Sequence, residues 1–229
     1  MSGAIQALVF DFDGVLADSV EVKTEAFRAM YAPHGDRVTD EVVAFHRANG
    51  GMPRREKFRH YQTALLGSPP TEAQLDALGE RFSALVLDRV VAAPEIPGAR
   101  TFLERWHGVV PLFVNSATPD QELRDILARR GMAHFFEAAL GSGRSKTDNL
   151  TAILGDYRLD PKQVVFFGDA ASDHRAAQAC GTPFVGIDRH ATGLLRASGV
   201  EADIFSDFES ATRDSRFNPA NRQQDRVKS

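Results

Sequence analysis

Apolar residues in this chain bunch into short runs at some points and recur at helical spacing at others, and the two patterns divide it. Ala7, Leu8, Val9 and Phe10 form an unbroken apolar run that stops at Asp11, Asp13 and Gly14. A run of this length, bounded by a turn signal, predicts a strand buried on both faces of a parallel sheet. After Asp18 the period changes. Val22, Ala26, Phe27 and Met30 share one helical face, with Ser19 as its N-cap. Thr39, Asp40 and Glu41 open a second helix, and Pro53 takes the first position of a third that carries Phe58, Tyr61 and Leu65. Thr71-Glu72-Ala73-Gln74 is a capping-box pattern opening a fourth, through Leu75, Leu78, Phe82 and Leu85. Residues 19 to about 91 are therefore expected to form a small helical bundle.

From 92 to 98 the sequence AAPEIPG breaks the helical period, and beyond it the two patterns alternate. Helices are expected over 100–106, 121–130, 146–157 and 172–180. Strands are expected over 110–115, 136–140, 164–168 and 184–187, with a last edge strand at 204–205. This alternation specifies an α/β fold with a doubly wound parallel sheet. Residues 1–17 and 92–212 make up its core, and residues 18–91 are an inserted helical domain reached by crossings at 16–19 and 92–98. Residues 213–229 are polar, with little to bury, and are expected to fray.

Composition narrows the class. The chain has 229 residues, 43% hydrophobic and 25% charged, enough for one sizeable core or a core and a smaller domain. A net charge of −4 with scattered basic residues argues against a nucleic-acid partner. Cys180 is the only cysteine, so no intrachain disulfide is possible and a reducing compartment is expected. The first apolar stretch is too short for a membrane span and lacks a basic segment before it. A cytoplasmic protein with no membrane partner is the expectation.

Ligands of open α/β sheets bind outside the carboxyl ends of the strands. The first strand is followed by Asp11 and Asp13, the second by Ser116, Ala117, Thr118 and Pro119, the third by a Gly/Ser turn and Lys146. The fourth is followed by Gly168-Asp169 and then Asp173. On an extended segment Asp11 and Asp13 would point to one side. Unit charges about 4 Å apart repel by roughly 4 kcal/mol at an effective dielectric of about 20. A hard cation with oxygen ligands offsets that, and Mg²⁺ suits one or two carboxylates plus a substrate phosphate. A plain turn with two solvated aspartates has the same D-x-D-G composition. Ser116 could belong to a helix start, Lys146 could be a solvated first-turn residue, and Asp169 and Asp173 could cap a helix. Together, however, they set acids, a hydroxyl and a cation along one sheet edge. The segment GSGRSKT at 141–147 is not a P-loop, because Ser145 stands where glycine must precede the lysine.

DFDGV at 11–15, Asn115-Ser116, Lys146 after its Gly/Ser turn, and GDAASD at 168–173 occur in the order of the four motifs of the haloacid dehalogenase superfamily. The chain resembles its aspartate-nucleophile phosphatases, and the helical insert resembles the cap of the phosphoglycolate phosphatase and β-phosphoglucomutase branch. The resemblance implies a Rossmann-like core and an Mg²⁺-dependent phosphatase that hydrolyses a small phosphate monoester through an aspartyl-phosphate. It makes Asp11 the nucleophile and Asp13 the acid and then base. Ser116 and the Ala117 N–H would hold phosphoryl oxygens, with Lys146 neutralising charge. Asp11, the main-chain carbonyl of Asp13, Asp169 and Asp173 would bind the metal, Asp173 directly or through water. An aspartate at position 13 favours phosphate ester hydrolysis over the dehalogenase, phosphonatase and ATPase chemistries of the superfamily. Gly51 to Arg54 matches the G-x-x-R of a cap loop that dips into the site, which implies Arg54 as a substrate ligand. Two alternatives are a phosphosugar mutase of the β-phosphoglucomutase kind and a non-catalytic binding protein on the same fold. Against the mutase, Lys23 stands where that branch has a histidine.

Overall fold

The apolar run at the start of the chain becomes the centre of the sheet. The computed structural model describes residues 4–220. Its strands are β1 (Ala7–Phe10), β2 (Leu112–Asn115), β3 (Ala138–Leu140), β4 (Val164–Gly168), β5 (Phe184–Ile187) and β6 (Asp203–Phe205). They form one sheet in the order β3-β2-β1-β4-β5-β6, every neighbouring pair parallel. Leu8 lies opposite Leu112 on one side and Val165 on the other, so β1 is paired along both edges.

The helices are α1 (Val20–Tyr31), α2 (Asp36–Ala48), α3 (Arg54–His60), α4 (Glu72–Ala92), α5 (Ala99–Trp106), α6 (Asp120–Arg129), α7 (Lys146–Asp156), α8 (Ala171–Cys180), α9 (Leu194–Ala197) and α10 (Phe208–Thr212). Strand alternation sends Leu8 and Phe10 into one apolar layer with Phe102 of α5 and Phe208 of α10. Ala7 and Val9 enter the opposite layer with Leu150 and Ile153 of α7 and Ala176 and Ala177 of α8. A strand covered on both faces has no use for polar residues, which is why its first polar side chains come at its end. Among the described residues no helix is long and apolar enough to cross a membrane.

Helices α1 to α4 lie between β1 and the next strand in the chain. The segments entering and leaving them run side by side: Asp18 N–H donates to Pro94 O at 2.9 Å and Ile96 N–H to Leu16 O at 3.2 Å. Arg130, just past α6, donates through Nη1 to the carbonyls of Val90, Val91 and Ala93 at 2.9, 2.8 and 2.7 Å. It thereby binds carbonyls at the C-terminal end of α4, where the intrahelical donors run out.

Three local expectations change. Helix α2 starts at Asp36, because Gly35 turns the chain at φ +89° and the helix follows at once; Thr39 lies inside it, its hydroxyl donating to Gly35 O at 3.0 Å. Ser19 occupies the N-cap position of α1, but its hydroxyl makes no capping bond and turns to Asp13 instead. The segment after Thr212, expected to have little to bury, forms a helical turn at Ser215–Phe217 and puts Phe217 fully inside, its ring 5.4 Å from that of Phe167. Residues 221–229 lie outside the described residues.

Candidate active site

The carboxyl edge of the sheet gathers side chains from four strand ends. Asp11 extends the ladder beyond β1, its N–H donating to Phe167 O at 2.9 Å. Its Oδ1 accepts the Phe12 N–H at 2.6 Å and its Oδ2 lies 2.7 Å from Lys146 Nζ. The chain then turns through Gly14 at φ +77°, where a Cβ would fall 2.2 Å from Asp169 Oδ2. Only glycine permits both the left-handed conformation and that approach.

Lys146, the first residue of α7, is buried and also donates to Asp173. Its backbone is tied to β2: Asn115 Nδ2 donates to Lys146 O at 2.8 Å, and Asn149 Nδ2 donates to Asn115 Oδ1 and Gly141 O at 3.1 and 2.9 Å. Asp120 at the start of α6 accepts from the N–H groups of Gly141 and Gly143. Asp173 is wholly buried and takes the Ala170 N–H on its second oxygen at 3.1 Å. One ligand atom each from Asp11, Asp169 and Asp173 lies within 4.8 Å of the others.

This trio holds more negative charge than Lys146 balances. Burial, with Asp173 and Asp13 nearby, pushes Asp11 up to about 6 despite the opposing pull of Lys146. Burial and the charges of Asp11 and Asp173 raise Asp169 well above the carboxylate range. Lys146 is driven down by burial but ends above its ordinary value, because Asp11 and Asp173 face it. An all-oxygen donor set with surplus negative charge fits a hard divalent cation.

Asp13 is not part of the trio. The strand has ended at Phe10, so the two aspartates are no longer on an extended segment and their side chains diverge. Asp13 accepts hydrogen bonds from the Ser19 hydroxyl at 2.7 Å, the Thr118 hydroxyl at 3.1 Å and the Lys23 ammonium. Burial would raise it, but the charge and hydrogen bond of Lys23, with those of Ser19 and Thr118, hold it below its ordinary value. Lys23 also donates to Thr118 Oγ1 at 2.9 Å. Ser116 is buried at the end of β2, its Oγ accepting the Thr118 N–H at 3.2 Å, which leaves its own O–H free to donate. Among the described residues the Ala117 N–H has no hydrogen-bond partner.

The helical insert reaches this edge through the loop between α2 and α3. Ser172 donates to Gly50 O at 3.2 Å, and a Cβ on Gly51 would meet Ser172 Oγ at 2.1 Å and Lys146 Nζ at 3.5 Å. Arg54, three residues on, does not join the carboxylates. Its guanidinium pairs with buried Glu122 of α6, donates to Ser83 Oγ at 2.7 Å and covers the Phe82 ring. These contacts bridge α3, α4 and α6 and give the Glu122 side chain, 8% exposed, its countercharge. In the sequence Lys23 stands out only as a departure from a histidine and Thr118 only as part of the segment after the second strand, and nothing marks Asn149 or Asp120. The rarity of lysine, five among 27 basic residues, was the available signal for Lys23.

Residues 5–181 match the family model described as haloacid dehalogenase-like hydrolase. A phosphorylated carbohydrates phosphatase of Thermotoga maritima is 24% identical over 182 residues, covering 77% of this chain and 82% of its own length. A phosphoglycolate phosphatase of Haemophilus influenzae is 24% identical over 196 residues, covering 82% and 87%. The solved structure of a haloacid dehalogenase-like family hydrolase from Streptococcus pneumoniae aligns with a TM-score of 0.69 at 20% identity, over 91% of this chain and 98% of that one. At that identity the structural likeness shows the fold.

Proposed function

The chain belongs to the haloacid dehalogenase-like hydrolase family and is a phosphoric monoester hydrolase; we propose that it hydrolyses a small phosphorylated metabolite in the cytoplasm, through an aspartyl-phosphate on Asp11 and with Mg²⁺. The observation that carries this reading is the setting of Asp11. One carboxylate oxygen is held by a backbone N–H and the other by Lys146, beside two further acids. In this reading Asp11 forms a bond to phosphorus as the bond to the leaving oxygen breaks. The Ser116 hydroxyl, the Ala117 N–H and Lys146 orient the phosphoryl oxygens and offset their charge. Asp11, Asp169 and Asp173, with the main-chain carbonyl of Asp13, would hold Mg²⁺, which would add to the neutralisation of the phosphoryl group. Entry of a phosphate dianion beside Asp13 favours its protonated form, which passes the proton to the leaving oxygen. As a carboxylate it then takes a proton from the water that attacks the aspartyl-phosphate, and Asp11 and inorganic phosphate are released.

Phosphate release from a panel of small monoesters tests this, with phosphosugars, phosphoglycolate and 4-nitrophenyl phosphate included. Turnover is expected with Mg²⁺ and none in EDTA, and Asp11→Asn should fold and be inert. More than a few per cent of wild-type turnover in Asp11→Asn would overturn covalent catalysis, and undiminished rates in chelator would overturn the metal. Isomerisation of a sugar monophosphate without phosphate release would give the mutase alternative instead.

A further inference from the structure

The two oxygens of Asp13 are held unequally. Oδ2 accepts both the Thr118 hydroxyl, at 3.1 Å, and the Lys23 ammonium. Oδ1 accepts the Ser19 hydroxyl at 2.7 Å and, among the described residues, no other donor. Lys23 also donates to Thr118 Oγ1 at 2.9 Å. An ammonium can only donate, and a hydroxyl has a single proton. Thr118 therefore accepts from Lys23 and directs its own proton to Asp13.

Thr118 is built to hold still. It is 1% exposed, its N–H donates to Ser116 Oγ at 3.2 Å, and its carbonyl accepts the Ser142 N–H at 2.9 Å. A Cβ on Gly141 would fall 2.4 Å from that carbonyl, so the turn after β3 packs directly against it. Thr118 thus joins Ser116, which orients the phosphoryl group, to Asp13, which meets the leaving oxygen. A carboxylate oxygen has two lone pairs. Both of those on Oδ2 are taken, whereas Oδ1 keeps one beside Ser19. In a carboxylic acid the oxygen without the proton is a carbonyl, the better acceptor. Two donors on Oδ2 favour it as that carbonyl and put the acid proton on Oδ1.

We propose that Thr118, backed by Lys23, is the positioning residue of the acid: the two donors fill Oδ2 of Asp13 and leave Oδ1 as the atom that carries the transferred proton. This rests on the phosphatase reading above. As the bond from phosphorus breaks, its electron pair stays on the leaving oxygen, which takes the proton from Oδ1. In the second step the attacking water returns a proton to Oδ1. Thr118 and Lys23 exchange no proton with the substrate.

The test compares phenyl phosphate with 4-nitrophenyl phosphate on the Mg²⁺-loaded enzyme, two esters of similar shape whose leaving oxygens need a proton to different degrees. Thr118→Val keeps the shape and removes the hydroxyl. It should lower kcat/KM by about fivefold or more for phenyl phosphate and by less than about twofold for the nitrophenyl ester. Thr118→Ser, which keeps the hydroxyl, should stay within about twofold of wild type on both. In an Asp13→Ala background Thr118→Val should cost less than about twofold on phenyl phosphate, because its effect passes through Asp13. Lys23→Met removes the other donor from Oδ2 and should repeat the pattern, and it serves if the valine variant does not fold. Equal losses on the two esters would overturn the proposal by making both residues merely structural. A loss undiminished by Asp13→Ala would overturn it by placing the donors on the substrate itself. Urea midpoints of the same variants read the contact without turnover: the fall caused by Thr118→Val should shrink by about half or more in the Asp13→Ala background, and equal falls would overturn the clamp. No turnover of either ester by wild type overturns the phosphatase reading and the acid with it, whereas turnover with any of those three patterns overturns the clamp alone.

Discussion

Asp13 and Lys57 show how one carboxyl and one ammonium can be displaced from their ordinary behaviour by their neighbours. Three donors converge on Asp13, so the side chain is fixed even before substrate enters. If its task is to protonate the leaving oxygen, Asp13→Ala should depend on the ester. An alkyl phosphate should lose roughly 10²–10⁴-fold in kcat/KM, the usual worth of a positioned acid, and 4-nitrophenyl phosphate much less. Steady-state kinetics on the two esters checks this, and equal losses would refute the acid role. Lys57 yields a thermodynamic prediction. Its ordinary value is 10.5 and burial lowers it to about 7. Between those values the unfolded chain binds more protons than the folded one, so stability rises with pH across the window. Above about pH 9.5 the raised phenols of Tyr31 and Tyr61, which stay protonated longer when folded, pull the other way. Urea unfolding at pH 7.5 and 9 should therefore show wild type gaining up to about 2 kcal/mol more than Lys57→Met, at about 1.4 kcal/mol per proton and pH unit. A parallel pair of curves would show that Lys57 is not held down by burial.

At the level of elements, the insert is joined to the sheet by paired crossing segments, by the Gly50–Gly51 loop on Ser172, and by one buried ion pair. The pair matters most for position. Arg54 comes from α3, Ser83 from α4 and Glu122 from α6, so their network fixes where α3 and α4 stand against α6. Removing one member of a buried pair strands the other, at a cost of about 3–5 kcal/mol. Arg54→Ala and Glu122→Ala are each expected to lower stability by that order. The double variant should fall well short of the sum, because it leaves no unpaired charge. Chemical denaturation of the four proteins in the cycle measures the coupling, and additive losses would mean that the pair contributes little.

Across the whole molecule, the apolar layer that supports the nucleophile extends to residues far from the site. Phe10 stacks on Phe167 at 5.2 Å, and Phe102, Phe208 and Phe217 close around them. The ring of Phe217 thus seals the layer beneath β1 and β4, whose ends carry Asp11 and Asp169. Phe217→Ala should cost about 3–5 kcal/mol through lost burial and the cavity left behind. In a chain of this size that lowers Tm by roughly 6–20 °C. Differential scanning calorimetry reads the shift, and a change under about 1 kcal/mol would show that the segment after α10 adds little to the core.

The sequence by itself determined the sheet, the order of its parts and the residues gathered at its edge. Those features are local: a four-residue apolar run, a D-x-D-G turn, a capping box at Thr71, an alternation of period between 110 and 187. Each is specified by neighbours within a few positions, and β4 and β5 begin and end where the pattern predicts them. Pairing across the fold is not local. Arg54 and Glu122 are 68 residues apart and Lys23 and Thr118 are 95 apart, so no window of sequence connects them. Arg54 carries a motif spacing that implied substrate, yet the tertiary structure presents it with a buried acid first. Ser19 had the identity of a cap and the chance of a stronger acceptor in Asp13. Phe217 lay in a polar stretch whose composition gave one ring no weight, although a single ring is enough where a cavity of its shape exists. Tertiary structure alone decided that Lys57 would be buried beside a neutral histidine, with no carboxylate paired to it among the described residues, because burial and charge pairing are properties of the space that distant elements enclose together.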